Sequence, residues 1–434
     1  MMNKKSAKAP PASSTISHMV CLFSFRHSAH ARRWAAAILI VGTLSGCGIL
    51  SSSPWPSAPR SASTAPSGLA MPPVPAGTVL PQPDGLGGLL RPKARWAPAQ
   101  FSDLPGWGRD RVSAAWPALW QSCQKPLSTW TRICAEVRDL GPQWGPTVGD
   151  DFVRQWLESH LEAWRVSSLE GQTSGLLTGY FEPLLEGRRQ ADARFQYPLY
   201  RAPADLGVRK PHYTRAELDN LPEARSAMAG RELVYLDDPL DVLLIQVQGS
   251  GRLRLLDEPT PQGQPRTVRL AFGGHNDQPY QSVARWLVDQ GAFPLEQASW
   301  PAIKNWAAQN PQRVPEMMRA NPRMVFFKEE PLPNPDLGPA GAQGVPLIPE
   351  RSVAVDRDAV PLGTPMWIDS TVPQTWSATP VAPQPLQRLV VAQDTGGAIT
   401  GAVRADFFWG WGEVALTQAG RTKQPLSVWV LWPR

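Results

Sequence analysis

Histidine and cysteine are scarce here, with six His and four Cys in 434 residues. Beyond residue 47 only His160, His212 and His275 remain, far apart in sequence, and no Cys/His spacing of the zinc kind occurs. No metal centre is expected, and no cofactor is implied. Long apolar runs are also missing. The most conspicuous, Trp34 to Leu44, is too short for a comfortable membrane span. Charge is thin, at 18% Asp, Glu, Lys and Arg, and the net +6 comes from dispersed residues rather than a basic stripe. Nucleic acid is therefore not an expected partner. The mild basicity fits a solvated surface or attraction to an anionic wall or membrane. No internal repeat is present.

The N-terminus reads as an export signal. Arg26, Arg32 and Arg33 form a basic segment ahead of the apolar Trp34–Leu44 run. Leu44-Ser45-Gly46-Cys47 closes it, in the pattern of a bacterial lipobox, so residues 1–46 are expected to be removed and Cys47 acylated. Gly48 stands where an inner-membrane retention signal would have Asp, which favours the periplasmic face of the outer membrane, with lipid held through Cys47. Translation could start at Met1 or at Met19. With Cys47 lipidated, Cys123 and Cys134 are left in an oxidising compartment, where a disulfide between them would close a short loop.

Residues 47–95 are rich in Ser, Pro and Ala and read as a tether that cannot bury a core. Folded texture is expected from near Trp96. Phe152, Val153, Trp156, Leu157, Leu161 and Trp164 recur at helical spacing behind Asp150 and Asp151 as capping acids. Strand-like runs follow at Gly175–Leu185, Tyr197–Tyr200, Leu233–Leu236, Val242–Gln248 and Val268–Phe272. Tyr280, Val283, Ala284, Leu287 and Val288 share a helical face that Gly291 would end, and Ser299-Trp300-Pro301 opens another helix. Met324–Phe327 is strand-like, Pro331–Pro346 marks a boundary, and the last part reads as strand and turn throughout, with Val360–Ile368 a strand, tight turn and strand. The 19 Trp residues are expected mostly in the core, although several could line a sugar-binding groove.

Asp394 and Asp406 carry most of the chemical information. Apolar runs flank both, and glycines separate them. Carboxyls at the ends of buried strands can be desolvated enough to hold a proton near neutral pH, and Phe407, Phe408, Trp409 and Trp411 crowd Asp406 in sequence. Asp356 ends a similar run, though Asp356-Arg357-Asp358 also fits a structural turn. Asp394-Thr395-Gly396 matches the tripeptide of aspartic proteases. Those enzymes need two copies, and this chain has one.

Several ordered motifs resemble one family. Leu177-Thr178-Gly179-Tyr180-Phe181-Glu182-Pro183, Leu244–Gly251, Gly274-His275-Asn276-Asp277-Gln278-Pro279-Tyr280 and Asn321-Pro322 before Val325-Phe326-Phe327 resemble membrane-bound lytic murein transglycosylase A. Val353–Asp356, Val360–Ile368 and Asp394–Asp406 resemble its C-terminal three-D domain, named for three aspartates. The resemblance runs from about residue 95 to the C-terminus. It departs at Ala271-Phe272 and at Arg323-Met324, where Ser-Tyr is more usual. It implies a mainly β protein with some helices: a double-psi β-barrel from 96–190 and 346–434, a second smaller β-barrel-like domain inserted at 191–345, and a groove between them. It implies action on peptidoglycan glycan strands, with cell-wall synthesis complexes as further partners.

The resemblance assigns the essential acid to Asp406, with Asp394 a second polar residue at the site, in a direct role or, since Asp394-Thr395-Gly396-Gly397 is also a good turn, in a structural or pKa-tuning one. Tyr180, Glu182, Gln246, Gln248, Ser250 and Asp356 are candidate substrate contacts, the three from Gln246 to Ser250 sharing one face if the segment is a strand. Cleavage would leave 1,6-anhydro-N-acetylmuramic acid ends and consume no water. Two other readings use the same site: a glycan-binding barrel that does not cut, and a muramidase that uses water.

Overall fold

β-Branched and aromatic residues alternate through the last ninety residues, which suits a pleated sheet buried on one face. In the computed structural model they supply five strands, all in the largest sheet. The structure describes residues 78–332, 334–373 and 382–434. The signal, the lipobox and Cys47 lie outside the described residues.

The N-terminal strands are β1 (Gln82–Pro83), β2 (Leu89–Leu90), β3 (Arg95–Ala99), β4 (Leu161–Ser167) and β5 (Gly175–Glu182). Then come β6 (Leu184–Gly187), β7 (Tyr197–Tyr200), β8 (Glu232–Leu236), β9 (Gly251–Pro259), β10 (Pro265–His275) and β11 (Val325–Glu330). The C-terminal set is β12 (Ser352–Val355), β13 (Pro365–Thr371), β14 (Pro385–Asp394), β15 (Arg404–Trp411) and β16 (Lys423–Pro433). One sheet runs β1-β2-β3-β4-β16-β13-β14-β12-β15-β5, and β5 also pairs with β16. That return closes six strands, β16-β13-β14-β12-β15-β5, into a barrel. The intervening chain makes its own sheet, β11-β10-β9-β6, and a β7-β8 ribbon. The two parts of the barrel are thus more than 150 residues apart in sequence, and β5 is the strand that joins them.

The barrel core holds Val353, Val391, Phe407 and Val430, and the N-terminal helices pack on it through Trp116, Trp130 and Leu157. Burying a side chain of this size contributes about 2 to 3 kcal/mol. Most tryptophans serve this core: Trp96, Trp116, Trp130 and Trp367 are fully buried. Cys123 and Cys134 form a disulfide between the helices Trp116–Ser122 and Thr131–Leu140. The insert attaches to the barrel through a cluster of Phe181, Leu244, Ala415 and Ala419.

Several local readings need correction. β1 and β2 lie inside the stretch read as tether, with Ala94 fully buried. The helix Asp150–His160 stops before Leu161, and Trp164 belongs to β4. Gly149, not an acid, is its N-cap, while Asp150 accepts the Ser113 N–H at 2.9 Å. Val242–Gln248 is helical, part of Pro239–Gln248, and Leu240, Val242, Leu243, Leu244 and Ile245 are all buried. A helix surrounded by protein loses its polar stripe, so its sequence imitates a buried strand. Val360 precedes a turn rather than forming a strand, and a short helix, Gly412–Ala419, interrupts the C-terminal strands.

Candidate active site

Pairing register brings the acids together. Ala354 of β12 is the Cα partner of Asp394 on β14 and of Asp406 on β15, and Asp406 is in turn the partner of Thr178 on β5. Asp394, Ala354, Asp406 and Thr178 therefore form one row across four strands. Each inter-strand step is about 4.8 Å, so the two aspartate backbones stand about 10 Å apart with a methyl group between them. Alternation along β15 puts Arg404, Asp406 and Phe408 on one face and Phe407 and Trp409 on the other, the latter two rings 4.8 Å apart. Of the aromatic residues expected to crowd Asp406, Phe408 shares its face.

Asp406 is half-buried, so it is desolvated without being sealed. Its Oδ1 accepts from the Thr178 hydroxyl at 2.5 Å, and Arg404 Nη2 donates to the same hydroxyl oxygen at 2.9 Å. Arginine can only donate. The Thr178 proton is thereby committed to Oδ1, and Oδ2 is left as the oxygen that carries the carboxyl proton. Burial pushes the pKa up to about 6, helped by the Asp394 charge and opposed by the Thr178 hydrogen bond and by Arg404.

Asp394 has a different environment. Its Oδ1 accepts backbone N–H groups from Ala342 and Thr395, each at 2.9 Å, and its Oδ2 accepts the Tyr180 hydroxyl at 3.0 Å. Burial raises its pKa and these three donors oppose that rise. The Tyr180 ring lies 5.2 Å from that of Phe408, and burial with the two nearby carboxylates raises its own pKa far above the usual phenol value.

The remaining sequence candidates lie elsewhere or are already engaged. Glu182 is fully buried and grips Arg252 Nε at 2.7 Å and Arg269 Nε at 2.6 Å, tying β5 to β9 and β10. Both its oxygens are occupied, which leaves no face for a sugar. Gln246 is buried in the helix Pro239–Gln248, where it accepts from Arg215 and donates to the Met324 sulfur. Gln248 accepts the Phe181 N–H at 3.0 Å, and Ser250 is buried at the helix end. Because the segment is helical, the shared strand face expected for these three does not exist. Asp356 is 5% exposed, pairs with Lys93 at 3.1 Å and accepts the Gly401 N–H at 2.8 Å. It pins the loop between the two site aspartates. Thr178 and Arg404 escaped the sequence reading. Arg404 had one signal, its period-two offset from Asp406, whereas Thr178 lies in the Leu177–Pro183 motif but its contact with Asp406 is visible only through strand register.

Among the described residues, no group of three or more His, Cys, Asp and Glu side chains is placed to hold a metal ion. Residues 176–328 match the family model for the MltA specific insert domain, and residues 351–432 match that for the 3D domain. Membrane-bound lytic murein transglycosylase A of Vibrio cholerae is 33% identical over 277 residues, covering 62% of this chain and 69% of that one. The chain belongs to the membrane-bound lytic murein transglycosylase A family. Among solved structures, a lytic transglycosylase of Burkholderia pseudomallei is 41% identical with a TM-score of 0.52, over 78% of this chain and 95% of that one. Escherichia coli MltA with bound chitohexaose is 26% identical with a TM-score of 0.58, over 74% and 90%. The matched insert model covers β6 to β10, and the 3D model covers every strand from β12 onward, including both site aspartates.

Proposed function

We propose that this chain is a lytic transglycosylase that cleaves the β-1,4 bond between N-acetylmuramic acid and N-acetylglucosamine in peptidoglycan, with Asp406 as both acid and base. The observation that carries this reading is the asymmetry of the two carboxyls. Asp406 has a raised pKa and a free Oδ2, while Asp394 has both oxygens occupied by donors. Ordinary glycosidases need a second free carboxylate as nucleophile or base. A site with one suits a reaction in which the substrate supplies its own nucleophile.

The steps balance without water. Asp406 Oδ2–H protonates the glycosidic oxygen, and the bond from that oxygen to C1 of the muramyl ring breaks. The 6-hydroxyl oxygen of the same ring attacks C1, and its proton passes to the Asp406 carboxylate, which restores the acid. The products are a free 4-hydroxyl on the glucosamine side and a 1,6-anhydro ring on the muramyl side. Intramolecular attack gains from high effective molarity. Asp394 keeps Tyr180 in place and adds negative charge that holds the proton on Asp406.

The six-strand barrel is read as double-psi, with a glycan groove between barrel and insert. Among the described residues, no helix is long and apolar enough to cross a membrane. Attachment through lipid on Cys47 at the periplasmic face of the outer membrane is the proposed location, with the Ser-, Pro- and Ala-rich stretch between Cys47 and β1 as tether. Recruitment to cell-wall synthesis complexes goes with that location. The test is digestion of murein sacculi and mass analysis of the soluble products. Anhydro-muropeptides support the proposal. Reducing muramic-acid ends would make the chain a hydrolase, and binding without release would make it a glycan-binding barrel.

A further inference from the structure

One arginine at the site lacks an acid. Arg323, just before β11 in the insert, donates from Nε to the Gln278 carbonyl at 2.8 Å, and its own backbone N–H goes to Asn321 at 3.2 Å. Among the described residues, its two terminal nitrogens have neither a hydrogen-bond acceptor nor a carboxylate within ion-pair distance. Most other arginines of the insert are satisfied: Arg252 and Arg269 share Glu182, and Arg189 holds Glu258 and Glu329. A half-buried guanidinium fixed by Nε alone presents its outer edge as a preorganised two-pronged donor.

That edge faces the loop between the two site aspartates. A Cβ built on Gly397 would stand 2.8 Å from Arg323 Nη1, so the guanidinium reaches across from the insert to the Asp394-Thr395-Gly396-Gly397 turn. A Cβ at that position would oblige the end of the Arg323 side chain to shift. The charge of Arg323 is also felt at His275, whose pKa burial and Arg323 lower, and at Tyr280. Tyr280 is 38% exposed and Phe272 is 50% exposed, so this part of the surface offers aromatic area next to an unpaired cation. Such a combination suits a sugar that carries an acid.

We propose that Arg323 is a specificity-determining residue that binds a carboxylate of the muramyl side of the substrate, so that the site distinguishes murein from neutral glycan. The carboxylate has two sources: the lactyl group of a muramyl residue stripped of peptide, or the peptide stem of an unstripped one. This inference rests on the proposed function for the substrate and not on the chemistry at Asp406.

The test is binding, measured in an Asp406→Asn background so that strands are not cut. Three probes are compared: peptide-bearing murein strands, amidase-stripped strands with free lactyl carboxylates, and chitohexaose. A charged hydrogen bond contributes about 1.5 to 3 kcal/mol, so adding Arg323→Gln should weaken carboxylate-bearing strands by about 10- to 100-fold. Chitohexaose affinity should not change. Loss on peptide-bearing strands alone identifies the stem as the source, and loss on stripped strands identifies the lactyl group. Equal loss on chitohexaose, or no loss on any probe, overturns the proposal. Salt gives a readout without Arg323→Gln: affinity for carboxylate-bearing strands should fall with NaCl, and chitohexaose affinity should not. A wild-type protein that yields anhydro products while Arg323→Gln shows no selective loss defeats this inference alone. Selective loss with no anhydro product from wild type defeats the catalytic reading alone.

Discussion

Replacing Asp406 by Asn should make the protein more stable at neutral pH while removing its activity. The carboxyl is held at a pKa of about 6, against an ordinary value of 3.8. Its folded-state pKa lies above its unfolded-state value, so the folded protein binds this proton more tightly. The stability this group contributes is fully present below 3.8 and is lost as pH rises through about 6. One pH unit corresponds to about 1.4 kcal/mol, so the ionised carboxyl costs the folded state up to about 3 kcal/mol at pH 7.5. Asparagine keeps the shape and an oxygen for Thr178 but carries no charge. Denaturant unfolding at pH 7.5 should show Asp406→Asn more stable by up to about 3 kcal/mol, and at pH 4 the two proteins should be nearly equal. A variant that is less stable at both pH values, or a gap that does not change with pH, would refute the claim that burial strains this carboxylate.

Three further expectations follow from the same geometry. The value of kcat/KM on murein should be flat below about pH 6 and fall about tenfold per pH unit above it, because only the protonated form of Asp406 can donate; a profile that rises through this range would contradict the acid role. Thr178→Val removes the donor to Oδ1 and frees Arg404 from its relay, so the descending limb should move to higher pH with a loss in kcat of about tenfold or more; an unchanged limb would remove Thr178 from the site. Glu182→Ala leaves Arg252 and Arg269 buried without their acid and should cost about 3 to 5 kcal/mol of stability, read by thermal or denaturant unfolding; a stable variant with raised KM would instead restore Glu182 as a substrate contact.

Asp394 was legible in the sequence because it ends an apolar run with glycines after it, and it is the last residue of β14; Asp406 stood out by the aromatic run that follows it, but it lies third in β15, inside the strand rather than at the strand end expected. Their setting was less legible. Thr178 meets Asp406 across 228 residues of chain, through a parallel pairing of β5 and β15 that no local pattern encodes. Glu182 read as a candidate substrate contact because its partners Arg252 and Arg269 are 70 and 87 residues away and no local pattern shows them. The helix Pro239–Gln248 looked like a strand because it is buried on nearly every side, which erases the 3.6-residue period. Leu161 and Trp164 looked like a continued helix because they follow Leu157 at spacings of four and three. Amphipathic helices with a clear cap read correctly: Ser299 accepts the Ala302 N–H at the head of Trp300–Gln309, with Pro301 in the first turn.

The most direct measurement is digestion of sacculi in water enriched in heavy oxygen, followed by mass analysis of the muramyl products. If Asp406 gives its proton to the leaving oxygen and recovers one from the 6-hydroxyl of the same ring, water never enters the bond. The expected product is an anhydro-muropeptide carrying no heavy oxygen, and none should form with Asp406→Asn. A muramic-acid reducing end carrying one heavy oxygen would contradict the single-carboxyl chemistry and assign the attack to water.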